Sequence, residues 1–87
     1  MNARALVARN LRRLRVQHGV SQEALAVDAA IDRTYVSRLE RGLENPTIAV
    51  LERLSQALST EITEFFVPPR RGEPLPRTLP SGRRPKR

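Results

Sequence analysis

Residues 21–42 read SQEALAVDAAIDRTYVSRLERG, and this stretch decides the fold. Ser21 can cap a helix N-terminus, and Glu23 follows in the first turn, where the helix dipole favours an anion. Leu25, Ala26 and Ala29 then recur at the spacing of one inward helical face. Asp32 offers a second cap, Val36 and Leu39 mark the inward face of another short helix, and Gly42 stops it. The small alanines let the two helices approach closely. What stays outside on the second helix is Arg33, Thr34, Ser37 and Arg38, with Tyr35 beside them. A rod presenting such donors suits the major groove of duplex DNA, where base edges offer hydrogen-bond partners.

Working outward, a helix over about residues 3–17 carries Val7, Leu11 and Leu14 as an i, i+4, i+7 stripe, with Arg9, Arg12 and Arg13 directed to solvent. Gly19 ends it. Downstream, Asn45-Pro46-Thr47 is a helix-start signal, since proline is tolerated in a first turn. The fourth helix carries Ile48, Leu51, Leu54 and Leu58. A short fifth, about 61–66, adds Ile62, Phe65 and Phe66. No strand pattern and no internal repeat is present. The expectation is an all-α fold of five short helices.

Composition sets the limits. Six of the seven prolines follow Val67, which places a boundary there: a domain over 1–67 and a Pro/Arg-rich tail over 68–87. The net charge of +7 divides unevenly. Residues 1–67 hold nine Arg against eight acids, a net of +1, and 68–87 hold six Arg and Lys86 against Glu73, a net of +6. Charge alone therefore argues little for nucleic-acid binding by the body, and the placement of its arginines must carry the case. The tail lacks periodicity and large apolar groups, so disorder is expected. It reads either as a solubilising end or as a polycation that adds sequence-blind phosphate affinity. A body of ~60 residues buries only ~60% of its unfolded surface, so a dimer would help it.

The absence of cysteine excludes disulfides, thiolate catalysis and zinc fingers. No apolar run approaches a membrane span and no secretory signal is visible, so a cytoplasmic location is expected. No Ser-His-Asp set, glycine-rich phosphate loop or metal-ligand spacing occurs. The lone His18, beside Gly19, reads as structural. Neither enzyme activity, nor a metal, nor a cofactor is expected.

Leu11 and Arg15, Ser21-Gln22, Leu25-Ala26, Val36-Ser37, Leu39-Glu40-Arg41-Gly42, Asn45-Pro46, Leu51, Leu54, Ala57-Leu58 and Phe65 stand at spacings that resemble the phage Cro and repressor-type, or Xre-like, helix-turn-helix family. The match covers about residues 6–66. The run DRTYVSRLERG also looks like the stand-alone controller proteins of restriction–modification systems. The resemblance implies a lambda-repressor-like domain that binds DNA as a two-fold dimer, often through its last helices. It implies base or groove-edge contacts from Arg33, Thr34, Ser37 and Arg38, backbone contacts near Gln22 and Asn45, and a brace between Arg15 and Glu40. Three positions depart from the family pattern: Glu44, where relatives often place a base that holds phosphate, Ala30 in the inter-helix turn, where Gly or Asn is common because the backbone there can be left-handed, and Ser59, where Gly often ends the fourth helix.

Each site residue has a plainer reading. Arg33 sits in a first helical turn, where a cation opposes the dipole; folding gives no reason for it, whereas a guanine edge or a phosphate does. Arg38 can read a base, bind phosphate, or pair with Glu44 or Asp32. Thr34 and Ser37 can bond bases or phosphates. Tyr35 divides between core edge and a phosphate contact. Gln22 opens a helix whose free N–H groups favour a phosphate, or is only a polar first-turn residue. Asn45 is either a cap or a phosphate contact. Of Ile62, Phe65 and Phe66, the dimer-interface candidates, one Phe fills the core and the other is left for a second copy. The expected partners are double-stranded DNA and a second copy of the chain, with no membrane association. The rival is an antitoxin-type protein that binds a toxin through the tail or the fifth helix and uses DNA binding for autoregulation.

Overall fold

The computed structural model describes residues 2–69. It contains four α-helices and a 3₁₀ turn: α1 Ala3–His18, α2 Gln22–Ala29, α3 Arg33–Glu40, α4 Ile48–Ala57, then Ile62–Phe66. The fold is all-helical, as expected, but the fifth helix is corrected to a 3₁₀ turn. Its five residues are too few for a stable α-helix, and the tighter winding still turns Phe65 into the core, where it is fully buried. The tail, apart from Pro68 and Pro69, lies outside the described residues, and so does the expectation of disorder there.

Every α-helix is capped by a side chain. Asn2 accepts from the Ala5 N–H, Ser21 from Ala24, Asp32 from Thr34 and Thr47 from Val50. The cap of α4 is thus Thr47 and not Asn45, and Pro46 stays outside the helix. The C-termini share one solution. The N–H of Val20, Ile31, Leu43 and Thr60 donates five residues back, to the carbonyls of Arg15, Ala26, Arg38 and Ser55. The residue before each of the four has a positive φ: Gly19 at 71°, Ala30 at 58°, Gly42 at 74° and Ser59 at 51°.

Val7, Leu11, Leu14, Leu25, Ala26, Ala29, Val36, Leu39, Leu51, Leu54, Leu58 and Phe65 form one continuous core. Within it α1 packs on α3 and on the 3₁₀ turn, while α2 packs on α3 and α4. Ile48, expected inward, is 65% exposed; as the first residue of α4 it lies past the packed body.

The arginines of α1 also differ from expectation. Arg9 is buried, and Arg12 and Arg13 are half-buried, not solvated. Because α1 is covered on two sides, the flanks of its apolar stripe are covered too. Asn10, 1% exposed, donates from Nδ2 to the carbonyls of Phe65 and Val67, both at 2.9 Å. Arg13 donates to Asn10 Oδ1 at 3.0 Å and to the Glu64 carbonyl at 3.0 Å, and pairs with the Glu64 carboxylate at 3.2 Å. This latch fastens the last turn to α1.

Candidate nucleic-acid interface

Asp32 caps α3 and leaves Arg33 as its first helical residue. With Val36 and Leu39 fully buried, the helical period sends Arg33, Thr34 and Arg38 outward and leaves Ser37 half-buried. The tight α2–α3 turn, closed by the Ile31 N–H on the Ala26 carbonyl at 2.9 Å, sets the start of α2 beside this face. The result is a shallow cleft of about 150 Å³ lined by Gln22, Arg33, Thr34 and Ser37. Four of the residues singled out from sequence therefore meet at one place.

Gln22 is held there. Its Nε2 donates to Glu40 Oε1 at 3.1 Å. Glu40, with no exposed side-chain surface, also takes two bonds from Arg15, at 2.5 and 3.0 Å, and faces Arg12 Nε at 3.5 Å. One carboxylate thus sits among two guanidiniums and an amide, and the buried Arg12 Nε makes no hydrogen bond. Arg15 further donates to the Val20 carbonyl at 3.0 Å, closing the end of α1. The Arg15–Glu40 brace is present as the resemblance implies. The Gln22 and Arg12 contacts to the same carboxylate were not anticipated, because residues on three different helices carry no shared spacing in sequence.

The remaining candidates stand apart from the cleft. Arg38 pairs with Glu44, Nε to Oε2 at 2.7 Å, the plainer of its readings, although its side chain remains 46% exposed. Asn45 is exposed in the α3–α4 loop. Tyr35 packs against the core edge and is half-buried. Burial, and secondarily the Glu44 carboxylate, raise its phenol above the ordinary value of 10.0. The hydroxyl therefore keeps its proton and can donate. Of the three dimer candidates, Phe65 is corrected to a core residue with no exposed surface, Ile62 is half-buried, and Phe66 is 43% exposed beside Val67 at 40%. Among the described residues no cluster of three metal-ligating side chains occurs, and no helix is long and apolar enough to cross a membrane.

The helix-turn-helix family profile matches residues 11–65. The uncharacterized HTH-type transcriptional regulator y4dJ of Sinorhizobium fredii is 40% identical over 68 residues, which span 78% of this chain and 88% of that one. The crystal structure of the hypothetical transcription factor NHTF from Neisseria superposes with a TM-score of 0.75 at 40% identity, covering 78% of each chain. The restriction–modification controller protein C.Esp1396I, solved as a tetramer with its natural 35 base-pair operator, superposes with a TM-score of 0.70 at 33% identity, covering 76% of this chain and 87% of that one. By name these relatives are a transcriptional regulator, a transcription factor and a restriction–modification controller. With the cap-and-turn geometry of α2 and α3 and these matches in hand, the chain belongs to the helix-turn-helix family of DNA-binding transcriptional regulators.

Proposed function

We propose that the protein is a sequence-specific regulator of transcription that lays α3 in the major groove of duplex DNA and acts as a homodimer on a two-fold operator. The observation that carries this reading is the cleft where Arg33, Thr34 and Ser37 of α3 meet Gln22 at the start of α2. It combines a guanidinium and two hydroxyls, which suit base edges, with an amide at a helix N-terminus, which suits a phosphate. The related controller protein, solved as a tetramer in complex with its natural 35 base-pair operator, supports operator binding by more than one copy. In this reading Arg33, Thr34, Ser37 and Arg38 touch bases or groove edges, and Gln22, Tyr35 and Asn45 touch the backbone.

The seam between copies runs through Phe66, with Val67 and the rim of Ile62. Two half-sites then lie about one helical turn apart, near 10 bp. The domain spans 1–67, and the cationic tail, 68–87, adds affinity for any duplex.

Selection of bound duplexes from random DNA, with the stoichiometry of the complex measured, tests the whole reading. A two-fold consensus bound by two protomers is the expected result. Recovery of no enriched sequence, or binding by a single protomer to an asymmetric site, counts against it.

A further inference from the structure

Arg38 reaches the candidate reading face already engaged, and the local backbone is the reason. Gly42 adopts the left-handed conformation, its N–H donates to the Leu39 carbonyl at 3.1 Å, and that of Leu43 donates to the Arg38 carbonyl at 3.0 Å. The chain therefore doubles back along the last turn of α3, and Glu44 arrives beside a residue six positions earlier. Arg38 Nε donates to Glu44 Oε2 at 2.7 Å, while Nη2 makes only a 3.5 Å contact with the Leu43 carbonyl.

The stability gained from such a pair is small, because both side chains are partly solvated. A carboxylate at the rim of a surface that meets a polyanion also weakens binding to every duplex. The return lies in orientation. Guanine offers O6 and N7 to a planar fork presented one way round. An unrestrained arginine on a long stem loses rotamer freedom to meet it, and on the wrong base it swings to the nearest phosphate. A bond at Nε fixes the plane and leaves the terminal nitrogens to lead.

We infer that Glu44 is a specificity-determining positioning residue: by holding Arg38 through Nε it aims the guanidinium at a guanine edge and opposes its escape to a phosphate. Discrimination then comes from both sides, a prepared contact on the right site and a penalty on the wrong one. This rests on α3 lying in the major groove.

The test uses the full chain and its E44Q, R38A and doubly substituted variants. Each is titrated at fixed salt with the selected operator, with operators changed at single positions, and with random duplex. E44Q is expected to bind random duplex several-fold more tightly and to lose roughly tenfold discrimination at one guanine position. R38A loses discrimination at that same position, and adding E44Q to it changes the ratio no further. If E44Q strengthens binding to all duplexes by one common factor, Glu44 is only a repelling charge and the inference fails. It fails equally if E44Q lowers discrimination further in the R38A background. Failure of the underlying reading looks different: the unsubstituted protein then shows no preferred duplex at all. Because the pair is surface-exposed, urea midpoints close to that of the parent are expected for all three variants, so the comparison is made between folded proteins.

Discussion

Arg33 occupies the first helical position of α3, where a cation opposes the dipole by roughly 0.3–1 kcal/mol. In the proposed complex a base edge or phosphate offsets that cost. Arg33→Ala is accordingly expected to weaken operator binding by about 1–3 kcal/mol, while random duplex loses much less; equal losses in a gel-shift titration make it a backbone contact instead. Tyr35 gives a second test. Its phenol is raised above 10.0 in the folded protein, so the folded state holds that proton more tightly than the unfolded one. The stability this contributes is complete below pH 10 and is lost as pH climbs through the raised value. Urea midpoints should therefore fall more steeply above pH 10 for the parent than for Tyr35→Phe, and parallel curves reject the assignment. At this scale the exposed face of α3 was legible, because buried Val36 and Leu39 set the phase of the helix. The pairing of Gln22 and Arg12 with Glu40, and of Arg13 with Glu64, was not, since each is met across the fold and not along the chain.

The helix termini show one motif four times, with residues of unequal fitness. Gly19 and Gly42 take the left-handed conformation freely, whereas Ala30 and Ser59 take it with a Cβ attached. Ala30→Gly and Ser59→Gly are each expected to raise unfolding stability, by on the order of 1 kcal/mol. Chemical denaturation measures it, and a loss in both variants refutes the backbone argument. Both positions stood out in sequence as departures from the family pattern, and the backbone there is left-handed as that pattern implies. The last element was less legible. Ile62 and Phe65 share the inward face under either i+3 or i+4 winding, and five residues do not distinguish the two. The start of α4 misled for a different reason: Asn45, Pro46 and Thr47 all carry start signals, and the cap geometry at Thr47 chose among them.

At the scale of the whole molecule, a small apolar core is flanked by the buried cluster of Arg15 and Glu40. Removing the carboxylate with Glu40→Ala leaves Arg15 buried and uncompensated, which is expected to cost about 3–5 kcal/mol. That is a large share of the ~5–15 kcal/mol that holds a domain together, and the far-UV melting curve should shift sharply downward. Deleting residues 68–87 removes most of the net charge but none of the core. Affinity should fall on all duplexes, and the salt slope should flatten by about 0.9 for each tail cation that had neutralised a phosphate; an unchanged slope makes the tail a bystander. Phe66→Ser should shift the proposed dimer toward monomer in sedimentation while leaving the fold intact, because the buried Phe65 is untouched. The helical core was readable from periodicity and caps. The association of copies was not, because a single exposed aromatic side chain marks a surface without naming what covers it.

The latch of Asn10 and Arg13 gives α1 a second duty. The same rod grips the C-terminal end of α3 through Arg12, Arg15 and Glu40, and clasps the turn that carries Phe66 through Asn10 and Arg13. In the proposed dimer it becomes a girder between the seam and each reading head. The distance separating the two heads, and hence the operator length that can be straddled, is then governed by a few polar bonds at one joint. Loosening that joint would let one dimer tolerate several spacings, and tightening it would hold the protein to one.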